Sequence, residues 1–141
     1  MLGACDRGGR APACDAEETR ALAAQRGLSA IALRGGSREV PGRPDLLVTS
    51  GNDTLRFRTR GPEVLMTSGQ EQFVATLAEV ATTGEEEGGW SCSADLIAVN
   101  MTTPSRSLPR VPISYTSVRG EGGSHEVFVQ VRADLMRPQG P

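Results

Sequence analysis

The stretch SCSADLIAVNMTTPSRSLPRVPISYTSVRGEGGSHEVFVQVRADL, Ser91–Leu135, decides the fold. In its last part Val127, Val129, Val131, Ala133 and Leu135 fall on one side of a strand and Phe128, Gln130, Arg132 and Asp134 on the other, the two-residue period of a pleated strand. Val111–Arg119 alternates in the same way through Val111, Ile113 and Tyr115, and Gly120 to Ser124 has the composition of a hairpin loop. Three antiparallel strands are expected here, as a C-terminal meander.

Working outward, Thr54–Arg60 alternates Leu55, Phe57 and Thr59 with Arg56, Arg58 and Arg60, which predicts a strand with an arginine-lined outer face. It pairs with Asp45–Ser50 across a Gly51-Asn52-Asp53 turn, and Glu63 to Thr67 adds a short strand after Gly61-Pro62. Ser68 to Glu71 has the pattern of a capping box. Behind it Phe73, Val74, Leu77, Val80 and Ala81 follow helical spacing, which predicts a helix packed on one sheet face. An earlier helix is expected over Ala16 to Arg26, with Asp15 as N-cap, Glu18 completing a capping box and Gly27 as the terminator. Leu28 to Arg34 reads as a first strand and Gly35 to Pro44 as a loop. The expected fold is therefore α+β: an antiparallel sheet of about six or seven strands with two helices. Residues 1–13 are expected as a flexible N-terminal tether, 14–137 as a single domain and 138–141 as a tail.

Composition narrows the function. The net charge is −2, which argues against nucleic acid, and the basic residues are all arginine, the mark of a GC-rich bacterial genome. No uncharged run is long enough for a membrane span. Walker-type and dinucleotide-binding glycine patterns are absent, and one histidine with no CxxC spacing gives no metal site. His125 is flanked by Ser124 and Glu126 and lies close to Glu121, but neighbours on a strand point to opposite faces, so a Ser/His/acid relay is not expected among them. No catalytic residue, cofactor or metal is assigned, and the chain is not expected to be an enzyme.

Leu2-Gly3-Ala4-Cys5 resembles the lipobox of bacterial lipoproteins, in which the cysteine is lipidated and becomes the mature N-terminus. The resemblance implies a lipid anchor on Cys5 as the only membrane attachment and a periplasmic location, with Asp6 leaving inner or outer membrane undecided. If Cys5 carries lipid, Cys14 and Cys92 remain as a pair, the arithmetic of a disulfide in an oxidising compartment. In size, lipobox and lack of enzyme motifs the chain resembles the lipoprotein immunity proteins by which Gram-negative bacteria neutralise periplasmic cell-wall-degrading toxins delivered by type VI secretion. That resemblance implies a protein partner, a toxin or hydrolase that degrades peptidoglycan. The partner-binding residues expected are acidic loops at strand ends: Glu85, Glu86 and Glu87, and Glu121, Ser124, His125 and Glu126. A small-ligand carrier or sensor and a structural envelope lipoprotein are the alternatives.

Overall fold

The computed structural model describes residues 10–132. Among these residues one α-helix, α1 (Glu17–Arg34), precedes eight strands: β1 (Arg38–Val40), β2 (Arg43–Val48), β3 (Thr54–Arg60), β4 (Glu63–Ser68), β5 (Glu71–Glu86), β6 (Gly89–Asn100), β7 (Val111–Arg119) and β8 (His125–Val131). Each strand pairs antiparallel with the next along the chain, so the order in the sheet is the order in the sequence. The sheet curls, and α1 lies in its hollow, touching β3, β4, β5, β7 and most extensively β8. β1 and β8 are its two edges.

The class is the α+β expected, with one α-helix instead of two and eight strands instead of six or seven among the described residues. The second helix is β5. Phe73 and Leu77, four apart, share a helical face, but an even spacing also shares a strand face, and with Ala75 between them they point into the core. Thr76, Val80, Thr82 and Thr83 favour the strand because their branched side chains suit a pleated surface. The supposed capping box is the β4–β5 turn, where Gly69 takes φ +59. A bulge between Ala78 and Ala81, with Glu79 at φ 54, shifts the long strand against β6.

The first helix does not stop at Gly27 but runs through the segment expected as a strand, Leu28 to Arg34. A Cβ on Gly27 would stand 3.0 Å from Leu96 Cδ2, so the absent side chain brings α1 down onto β6. Ala21, Ala23 and Ala24 are buried for the same reason. The helix is thin-faced because it sits close to the sheet. Its N-cap is Ala16 with no side-chain cap bond, so the Asp15/Glu18 capping box is not formed. Part of the expected loop 35–44 is β1, paired with β2.

Cys14 and Cys92 form a disulfide that ties the segment before α1 to β6. The arginines of β3 face outward, opposite the buried Leu55 and Phe57. Met66 and Val64 of β4 complete the inner layer beside them.

Candidate functional site

Because β6 starts where β7 ends, with Trp90 opposite Ser117, the β5–β6 and β7–β8 turns come out at the same end of the sheet. The two acidic loops expected from sequence therefore stand side by side: a Cβ on Gly88 would be 4.0 Å from the Arg119 amide nitrogen. Gly88, Gly122 and Gly123 all take positive φ, where a side chain would be strained. Gly89 lies flush on β7, and a Cβ there would overlap the Ser117 carbonyl.

The carboxylates of this rim are not equivalent. Glu85 is ion-paired with Arg10, and Glu86 accepts a hydrogen bond from the Ser91 hydroxyl. Glu126 is partly buried, its carboxylate lying over Gly120. Glu87 and Glu121 are exposed. Neither carboxylate has a hydrogen-bond or ion-pair partner among the described residues. Ser124 donates weakly to the Glu121 carbonyl at 3.4 Å, within its own turn. Cys5 lies outside the described residues.

Of the stretch expected as a tether, residues 10–13 lie as a strap along the rim and inner face. The Arg10 guanidinium sits over the Trp90 ring, 4.5 Å from its centroid, and donates to the Gly89 carbonyl at 2.8 Å. The Ala11 amide donates to Gly88 O at 2.9 Å, and Trp90 Nε1 donates to Ala11 O at 3.1 Å. Tyr115 donates its hydroxyl proton to Cys14 O at 2.9 Å. Burial pushes the Tyr115 phenol up to about 12, with Arg20 opposing and Asp15 reinforcing the shift.

His125 does take part in a Ser/His/acid set, with partners other than its sequence neighbours. Its Nε2 is 2.7 Å from Ser117 Oγ and its Nδ1 is 3.1 Å from Glu18 Oε2. Ser117 is opposite Val127, so His125 is its diagonal neighbour on the same face, a relation that the hairpin register contains and adjacency in sequence does not. Ser117 is fully buried and gives its one proton to Pro12 O at 2.7 Å. It therefore accepts from His125 and has no proton left to surrender to that ring. The set joins the strap, α1, β7 and β8. It is a staple.

The second feature is an open seam. Between the β8 edge, the C-terminal half of α1 and the β1–β2 hairpin lies a cleft of about 790 Å³. Ala30, Leu33, Leu47, Val127 and Val129 contribute to its apolar surface, and Glu39, Arg43, Arg26 and Glu126 are among its charged lining residues. Arg43 is held by Asp45, at 3.2 Å, and that pairing lowers the Asp45 carboxyl below its ordinary range. Phe128, beside the seam, is 59% exposed. No residue signal had marked this cleft, because it arises from the two sheet edges failing to meet.

Among the described residues no group of three or more His, Cys, Asp or Glu side chains is placed to hold a metal, and no helix is long and apolar enough to cross a membrane. Compared with known proteins, the chain matches no family model, no curated protein and no solved structure.

Proposed function

We propose that this chain is an exported protein-binding domain, of the immunity or inhibitor kind, that meets a toxin or hydrolase with its acidic rim. The observation that carries the reading is the convergence of two glycine-bordered acidic turns, more than thirty residues apart in sequence, with Glu87 and Glu121 exposed and Glu126 beside them. Carboxylates on such a rim suit a cationic groove and accelerate encounter with it. The Cys14–Cys92 disulfide supports an oxidising compartment. A lipid on Cys5 belongs to the same proposal. The chain from Cys5 to Arg10 spans at most roughly 18 Å, which would hold the rim close to the lipid surface.

The test is the triple variant Glu87→Ala/Glu121→Ala/Glu126→Ala, titrated against the product of the neighbouring reading frame at low and high salt. Association should slow by about tenfold at low salt and much less at high salt, since a Debye length of roughly 8 Å already applies at physiological ionic strength. Unchanged rate and salt dependence would reject the acidic rim as the contact surface. The carrier reading draws on a different observation, the apolar seam, whose volume is that of a small-ligand site.

A further inference from the structure

The β8 edge is open in a specific pattern. Arg132 N donates to Pro112 O and Gly120 N donates to Ser124 O, so these facing pairs at the two ends of the β7–β8 ladder are hydrogen-bonded pairs. Such pairs alternate along an antiparallel ladder, which makes Ser114/Gln130, Thr116/Phe128 and Val118/Glu126 hydrogen-bonded as well. The amide and carbonyl groups of Val127, Val129 and Val131 consequently point away from β7. They have no protein partner among the described residues. Val127 and Val129 also line the seam, so these unmet donors and acceptors open beside an apolar cleft and not onto a flat surface.

We propose that the seam receives an extended segment of the partner polypeptide as a ninth strand added to β8, a segment with apolar residues at alternate positions and a basic residue near one end. The inference deepens the protein-binding reading and rests on it. Backbone pairing comes from the free edge of β8, in the manner of strand addition to an exposed sheet edge. Side-chain selection comes from the two faces of the guest. One face meets Ala30, Leu33 and Leu47 across the cleft, and the other covers Phe128. Charge complementarity supplies the basic residue. Glu39 and Glu126 are among the lining residues, on the β1 and β8 sides, the Glu126 carboxylate at the end next to Gly120; neither carboxylate has a partner among the described residues, against Arg26 as the one cation similarly placed, since Arg43 is already held by Asp45. Glu126 also borders the acidic rim, which makes rim and seam one continuous surface.

The experiment uses the full chain, labelled for NMR, and three synthetic heptapeptides. The first alternates valine with threonine and carries one lysine. In the second the lysine is replaced by glutamate. The third repeats the first with alternate amides N-methylated, which removes the donors on one edge. The lysine peptide should shift the Val127 and Val129 amide signals and slow their hydrogen exchange. N-methylation should weaken it by about tenfold or more, the equivalent of about two backbone hydrogen bonds. The Glu39→Lys/Glu126→Lys variant, which leaves the free edge intact, should prefer the glutamate peptide. Absence of any β8 perturbation at millimolar peptide would overturn the proposal. Equal binding of the N-methylated peptide would also overturn it, showing an apolar-ligand cleft, and protection of β8 without peptide in a species of dimeric mass would show a second copy of the chain on the edge. If the seam fails while the rim variant still loses its partner, strand addition is wrong and the protein-binding reading stands. If the rim variant is silent while the peptide binds as expected, the acidic rim is not the contact surface and the partner is held at the seam alone.

Discussion

Removing the disulfide with Cys14→Ala/Cys92→Ala should cost the domain a large part of its stability. The bridge closes a loop of 78 residues. Chain entropy for a loop of that length gives about 4.5 kcal/mol at room temperature, against the 5–15 kcal/mol that typical domains have in total. Unfolding entropy scales with length, and for 141 residues each kcal/mol corresponds to about 3 to 4 °C, so the melting temperature should fall by about 15 °C. Both cysteines are buried, and substitution also leaves small voids, which adds to the loss. In the other direction, the strap retains its hydrogen bonds from Tyr115 to Cys14 O and from Ser117 to Pro12 O in the variant. Denaturant unfolding followed by fluorescence is the suitable assay. Trp90 is the sole tryptophan and donates to Ala11 O, so it reports on the strap as well as on the sheet. The slope of the transition should increase, because the unlinked unfolded chain exposes more surface. A drop of less than about 5 °C with an unchanged slope would refute the reasoning, since it would mean that the linkage barely constrains the unfolded chain.

Two further outcomes are expected. Gly89→Ala places a methyl group in the Ser117 carbonyl and should destabilise by about 3 kcal/mol or more, read as a thermal shift; a variant melting like the parent would mean that β6 can move off β7. Tyr115 is the only tyrosine, so an ultraviolet pH titration reads one group: its phenolate should form near pH 12 and not near 10. Because the folded value is the raised one, the stability tied to it is complete below about pH 10 and is lost as the pH climbs toward 12, and a midpoint near 10 in the folded protein would contradict the burial of this hydroxyl.

Much of the sheet was legible. The strands at Thr54–Arg60 and Val111–Arg119 have the bounds their alternation predicts, because one face of each is buried and the other is not. Cysteine parity points to the bridge that Cys14 and Cys92 form. The errors share a cause, which is that local pattern competes with packing at a distance. Gly27 is a good helix terminator in isolation, yet here it is kept inside α1 by the close approach of Leu96, nearly seventy residues away. Phe73 and Leu77 satisfy both periods, and only the β-branched residues between and after them point to a strand. Of the rim, composition identified the acidic turns, but their adjacency depends on β6–β7 register, and the internal partners of Glu85 and Glu86 could not be read from spacing. Glu18 has the spacing of a capping residue and instead reaches His125.

The neighbour-to-neighbour order of the strands also has a bearing on how the chain acquires its structure. Each hairpin from β1 to β8 closes on residues that have only just preceded it, so the sheet can grow by short-range steps as the chain emerges. The helix has no such course. It is made first, yet its largest contact is with β8, the last strand, and the strap before it is held by β6, β7 and a cysteine in β6. Until the final hairpin arrives, the helix lacks its largest single partner and is held only by its smaller contacts with β3, β4, β5 and β7. A chain halted before β8 therefore leaves part of the helix and of the hollow uncovered, and the species to look for when assembly fails is a sticky, nearly complete sheet with its helix loosely docked.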